Sequence, residues 1–194
     1  MIYSVNSKSW KVLEDTFSSD SLEGWHSGVL INNHLLHWRF WSPTKRKRRI
    51  GCFDVCSEQW NEDVLLPPYY YDPTHQNYLL DIGVLHGSLF SSFENRVDSC
   101  YDVWVMREYA DQQSWLKLLS ITISDDLVLH GGVVPVACCR PGSSKVLLRQ
   151  RNKARLFWYD KEDNAINNAE VPCLWEHEPY ICNGSLVTLP DLYA

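Results

Sequence analysis

Long apolar runs are missing from this chain of 194 residues. A membrane-crossing helix needs roughly 18 to 20 apolar residues in a row. The longest candidate, Val133 to Cys139, is interrupted by Pro135. The apolar core of a secretory signal is missing too, because Met1 to Trp10 carries polar side chains where it would sit. The seven cysteines form no Cys-x-x-Cys pair, Cys52 and Cys56 are four apart, and Cys138 and Cys139 are adjacent. On a strand, adjacent cysteines point to opposite faces, so no metal site is expected. An odd count without a signal segment reads as reduced thiols, which points to the cytoplasm and/or the nucleus. There is no glycine-rich phosphate loop and no paired-carboxylate signature, and the seven histidines are scattered. Gly24-Trp25-His26-Ser27-Gly28 puts its serine in the wrong slot for a nucleophile elbow. Neither a catalytic residue nor a cofactor is expected, and an enzyme is the weakest of the readings considered. Good helix formers gather only in Arg107 to Gln113, short enough to be a turn insertion.

What the chain does have is rings. Nine Trp, ten Tyr and six Phe exclude global disorder, and the length suits a single domain spanning residues 1–194. The net charge is −6, yet Lys45, Arg46, Lys47, Arg48 and Arg49 stand together. Without those five, 13 basic residues face 24 acidic ones, a balance of −11. Such a surface repels nucleic acid and membrane phosphates and favours a cationic protein partner, mainly through the association rate.

The rings recur. Tyr3 to Trp10 and Phe53 to Trp60 share the pattern aromatic, x, Val, x, Ser, x, x, Trp, 50 residues apart. A third copy runs from Asp102-Val103-Trp104-Val105 to Ser114-Trp115, and a fourth from Phe157-Trp158-Tyr159-Asp160 to Ile166. A second element alternates with the first: apolar arms around Asn32-Asn33, His86-Gly87 and Asn183-Gly184, and a weaker version around Pro141-Gly142. Such pairs accept the positive φ angles of tight hairpins. Four short strands per roughly 40 to 50 residues is the arithmetic of a propeller blade. The expected fold is therefore all-β, a partial or small β-propeller of about four kelch-like blades made of short antiparallel strands. Trp10, Trp60, Trp115 and Ile166 should be buried at equivalent positions. The chain opens in the second half of a unit, so the expectation is a domain beginning mid-blade. The alternative is closure, with Tyr3 to Trp10 pairing around Ile181 to Leu189.

The same residues carry a resemblance. Asp102 to Tyr109 followed by Ser114 to Leu118, Gly28 to Trp38, Ile50 to Val55 and Phe157 to Asp160 resemble, in order and spacing, the signatures of the plant F-box-associated interaction domain. S-locus and defence-related F-box proteins are nearest in style. The resemblance implies a non-catalytic, kelch-like propeller that holds the protein substrate of an SCF-type ubiquitin ligase (Skp, cullin, F-box) for degradation. An F-box, which docks on a Skp-type adaptor, is expected as a separate segment ahead of the propeller and is not among these residues. A Skp-type adaptor is then a partner only where an F-box lies upstream. The alternative is a binding protein that occupies substrates without recruiting the ligase.

Two stretches are candidate sites. Pro67-Pro68-Tyr69-Tyr70-Tyr71-Asp72-Pro73 offers three rings in an inter-strand loop, and tyrosine gives large contact area at modest entropy cost. Tyr69, Tyr70 and Tyr71 are the candidate partner-binding residues, with packing on the adjacent blade as the competing role. The run Lys45 to Arg49 is a candidate nuclear signal or acidic-partner site, with a solvated loop between strands as the plainer alternative. The loop would lie between a strand ending near Trp41-Ser42-Pro43 and one starting at Ile50.

Overall fold

The structure is a computed structural model that describes residues 2–4, 7–12, 21–22, 28–43, 46–71, 77–122, 132–138, 143–150 and 155–169. Strands β1 (Ile2–Ser4) and β2 (Ser9–Lys11) form a two-stranded sheet. The next sheet holds β3 (Ser21–Leu22), β4 (Val29–Ile31), β5 (Leu35–Ser42), β6 (Lys47–Asp54) and β7 (Gln59–Val64), with β3 and β4 both paired to β5. A central four-stranded sheet follows: β8 (Asn77–Leu85), β9 (Ser88–Asn95), β10 (Cys100–Met106) and β11 (Trp115–Thr122). The last comprises β12 (Val133–Cys138), β13 (Lys145–Gln150), β14 (Arg155–Asp160) and β15 (Ala165–Asn168). All pairs are antiparallel, and all but β3–β5 join chain neighbours. Among the described residues there is no α-helix, only 3-10 turns at Pro68–Tyr71 and Gln112–Ser114. The architecture is that of a partial propeller.

The hairpin turns follow from the residues in them. Asn32, Asn33, His86 and Gly87 have φ of 51°, 61°, 50° and 80°, the left-handed region in which turns of the primed types match strand twist. The aromatic-strand turns have their own device. Asp54 Oδ1 accepts from Cys56 N at 2.8 Å, and Asp160 Oδ1 accepts from Glu162 N at 3.1 Å, each carboxylate closing the bend that follows it. The cross-strand pairs Tyr3–Trp10, Phe53–Trp60, Met106–Trp115 and Tyr159–Ile166 then place the repeat position identically in each unit. The 141–142 and 183–184 turns and the 181–189 segment lie outside the described residues.

Two apolar seams hold the sheets together. Ile31, Ile50, Cys52, Val64 and Leu66 meet Leu79, Ile82, Leu89, Phe93, Met106 and Trp115 on one face of the central sheet. On its other face Leu80, Phe90, Tyr101, Val103, Leu119 and Ile121 meet Val133, Val146, Leu148, Phe157 and Tyr159. Bulges make this two-sided burial possible. The register shifts between Leu79 and Asp81, so Leu79 and Ile82 share one seam while Leu80 enters the other. Pro135 also sits at a bulge, on a strand paired along one edge only, where a missing N–H is tolerated.

The expected burial of the repeat position holds only in part. Trp115 is buried in the first seam and Ile166 packs, partly buried, against the second. Trp60 is half-buried in a ring cluster with Trp38, Phe40 and Phe53 at centroid distances of 5.6, 6.1 and 5.1 Å. Trp10, however, is 68% exposed. The physical reason is directional. Trp115 and Ile166 face the sheet that precedes their own, so burial there comes from a neighbour and not from the strand itself. Trp10 has no described sheet on that side, and β2 is exposed at all three positions.

Candidate partner-binding surface

The tyrosine cluster is part of a strap, Leu65–Tyr71, laid across the groove between the β3–β7 and β8–β11 sheets. Its start is tied from the β10–β11 loop. Trp115 Nε1 donates to Leu65 O at 2.9 Å and Gln112 Nε2 donates to Leu66 O at 2.8 Å. Asp111 caps the short turn carrying Gln112 by accepting from Gln113 N at 2.9 Å. At the far end the three tyrosines divide. Tyr70 is turned inward, 5.3 Å from Phe93, and its hydroxyl donates to Arg48 O at 3.3 Å. Tyr69 is half-buried and stacks on Trp104 at 5.6 Å and 27°. Tyr71 is 41% exposed, its hydroxyl accepting from Leu66 N at 3.3 Å.

Tyr69 rests on a charged floor. Lys117 Nζ sits 5.0 Å from the Tyr69 ring centre, 5.4 Å from that of Trp104, and 2.8 Å from Oδ2 of the fully buried Asp102. A buried carboxylate needs such a partner, and Lys117, itself exposed, reaches it beside the faces of the two rings. The Tyr69 hydroxyl meets Asn95 Nδ2, and its carbonyl accepts from Asn77 Nδ2 at 3.1 Å. Burial first, then the charges of Asp102 and Asp98, push the Tyr69 phenol up to about 12. It stays neutral and keeps its hydrogen bond at any physiological pH.

The basic run arrives at the same end of the groove. Lys45 lies outside the described residues. Arg46, with φ of 51°, is the exposed last residue of the β5–β6 turn, and Lys47 opens β6. The strand therefore starts three residues before the expected Ile50, because Ser42, Trp41 and Phe40 pair with Lys47, Arg48 and Arg49. Arg48 and Arg49 are half-buried, and Arg48 Nη1 donates to Leu79 O across the groove at 3.0 Å. Lys47 Nζ lies 5.5 Å from the Tyr71 ring centre. The two candidate stretches, separated in sequence by some twenty residues, are thus one surface. Next to Asn77, Tyr78 is 42% exposed, with Arg96 4.0 Å from its ring centre and Glu94 3.5 Å from that arginine.

Sequence reasoning missed Asp102, Trp104 and Lys117, although an aspartate on a strand otherwise buried in apolar seams was a signal that a cation lay opposite. His37, which flanks a hairpin and for which the sequence left packing or surface open, is fully buried between the same two sheets. His37 Nδ1 lies 3.2 Å from Val29 O and Nε2 lies 2.8 Å from the Tyr109 hydroxyl, which is 3.4 Å from Cys52 Sγ. Desolvation lowers the His37 pKa, against the raising effect of its backbone contacts. At the end of the strands opposite the tyrosines, a shallow cleft of about 140 Å³ opens between Asn32, Gly87, Met106 and Tyr109. Among the described residues no three His, Cys, Asp or Glu side chains group as a metal would require, and no helix is long and apolar enough to cross a membrane. Cys52 and Cys100 are buried thiols, and Cys56 is exposed.

Stacked antiparallel sheets that expose rings and cations at the ends of their strands make a scaffold for protein contacts, built on propeller lines. Residues 1–177 match the family described as the F-box associated beta propeller domain, and the chain belongs to that family. It is 30% identical over 150 residues to F-box protein At4g22390 of Arabidopsis thaliana, covering 75% of this chain and 35% of the relative. It is 26% identical over 189 residues to F-box protein CPR1 of Arabidopsis thaliana, covering 88% of this chain and 42% of the relative. The chain thus spans well under half the length of these curated relatives. F-box associated domains are in general non-catalytic interaction modules.

Proposed function

We propose that this chain is the substrate-recognition part of an SCF-type ubiquitin ligase receptor, holding a protein for ubiquitin-dependent degradation. The observation that carries this is the family match over residues 1–177, joined by two relatives that are themselves F-box proteins. The contact surface is the end of the groove formed by Tyr69, Tyr71, Arg46 and Lys47, while Tyr70 anchors the strap beneath it. A Skp-type adaptor is the second partner, reached through an F-box in the same polypeptide. A cytoplasmic and nuclear distribution goes with this role.

The test is affinity capture of the full natural translation product, tagged, from plant cells with the proteasome inhibited. A Skp-type adaptor, a cullin and at least one protein whose half-life lengthens on depletion of the receptor are expected. A capture that retains a protein partner but no adaptor, with that partner's half-life unchanged, overturns the ligase role in favour of a binding protein that only occupies its target.

A further inference from the structure

We infer that the Arg46–Lys47–Tyr71 surface takes an acidic segment of its protein partner, with carboxylates on the two cations and an apolar or aromatic residue laid on the exposed rings. This rests on the proposed role in partner recognition and adds the chemistry of the partner. Three observations carry it.

The charge is out of place. In a chain of net charge −6, five of 18 basic residues are consecutive, and the fold keeps Arg46 and Lys47 exposed at the end of one groove. Neither side chain has an ion-pair partner among the described residues, and the Lys47 ammonium lies 5.5 Å from the Tyr71 ring centre. Arg48 differs, since it is half-buried and bonds the neighbouring sheet. The run is thus divided into a structural arginine and an outward pair.

The rings are held rigidly. Tyr71 is fixed by its own strap through Leu66 N, with Tyr70 5.4 Å away and locked to Arg48 O beneath it. A pre-positioned ring beside a cation loses little freedom on binding, so it contributes more than the same groups on a loose loop.

The surroundings disfavour a nucleic acid. The remaining balance of 13 basic against 24 acidic residues opposes a long polyanion, which must cross many parts of the surface, while a short acidic segment touches only the local cations. The general preference of an acidic body for cationic partners is a long-range effect on association, and it leaves the local complementarity of this surface unchanged.

The experiment is fluorescence anisotropy with the purified chain and a short fluorescein-labelled peptide of alternating glutamate and leucine. Saturable binding is expected, weakened about tenfold or more by Arg46→Glu with Lys47→Glu. Lys145→Glu with Lys161→Glu, the same charge change on the last sheet, should leave binding within about twofold. Circular dichroism and melting curves of both variants must match those of the parent. Tyr71→Phe, which keeps the ring but drops its bond to Leu66 N, should weaken binding less than Tyr71→Ala. Equal losses in the two charge variants, tighter binding of a single-stranded oligonucleotide of equal charge, or binding only of a lysine–leucine peptide would each overturn the inference. Should the variant pair unfold, charge-preserving Arg46→Lys with Lys47→Arg, combined with competition by free glutamate–leucine peptide at rising salt, gives the same decision: unchanged affinity at all salt levels overturns it. Failure here leaves adaptor capture untouched, and failure of adaptor capture leaves the peptide isotherm standing, so the two conclusions fall separately.

Discussion

The seam between the β3–β7 and β8–β11 sheets is crossed by named polar bonds, whereas the seam between β8–β11 and β12–β15 is held almost wholly by apolar side chains. The first has Arg48 to Leu79 O, Tyr70 to Arg48 O, Trp115 to Leu65 O, Gln112 to Leu66 O and the chain His37, Tyr109, Cys52. In the second, the Tyr159 hydroxyl donates across to Ser120 O at 3.1 Å, and the core contacts are otherwise apolar. Apolar burial is non-directional and gives adhesion, while hydrogen bonds demand a geometry and so fix how one sheet sits on the next. The candidate partner surface lies on the polar seam. A contact surface assembled from a strap and two sheets needs its parts held in one arrangement, which adhesion alone does not supply.

The largest effects should come from large-to-small changes, and they should separate the seams. Trp115→Ala and Phe157→Ala should each lower stability by about 3 to 5 kcal/mol in a denaturant titration. Only Trp115→Ala should also release the strap, read as faster hydrogen exchange across residues 65–71. Equal exchange there in both variants would break the contrast. Smaller is the effect of Gly132→Ala at the edge of the apolar seam. Gly132 has φ of +90°, and an added Cβ would meet Leu80 Cδ1 at 2.4 Å. A loss of about 1 to 3 kcal/mol is expected from strain and crowding, with the strap unmoved.

Deleting single hydroxyls is gentler still. Tyr70→Phe should lose about 0.5 to 1.5 kcal/mol and weaken peptide binding, because the hydroxyl bond to Arg48 O is lost and the ring beside Tyr71 loosens. Tyr159→Phe should lose a similar amount by chemical denaturation and leave peptide binding alone. Least in size, and confined to the polar seam, is a pH effect. Burial holds the folded His37 pKa below its unfolded value near 6.5, so in the window between the two the unfolded chain binds more protons. Stability should therefore be complete above the unfolded value and fall as pH drops from there through the lower folded value. A melting series from neutral to mildly acidic pH checks this. The His37→Phe variant should show a flatter slope, and an unchanged slope would remove His37 from the account.

The four-strand units, their turns and the all-β character were legible because each is a local property. Asn32-Asn33 and His86-Gly87 accept the positive φ of a tight turn, and Phe53-Asp54 carries within itself the carboxylate that closes the next turn. The early start of β6 at Lys47 was not legible, since charged residues enter a strand only when a partner strand of sufficient length is there to pair them. Nor was the exposure of Trp10, as it shares with Trp60 the pattern aromatic, x, Val, x, Ser, x, x, Trp, while burial depends on what lies in front of it.

By itself the sequence determined the repeat, the strand order, the acidic body with its one basic run, and the resemblance to the F-box associated family. The repeat and the charge balance follow from spacing and composition, and the resemblance from motifs read in order along the chain, none of which needs knowledge of what touches what. Only the tertiary structure decided that Tyr70 is buried while Tyr71 is exposed, that Arg48 bonds the neighbouring sheet while Lys47 is exposed beside the Tyr71 ring, and that the two stretches meet at all. Side chains on consecutive residues of a strand or 3-10 turn point in different directions, so whether a ring or a cation is buried or offered is settled by the neighbouring sheet that packs against it.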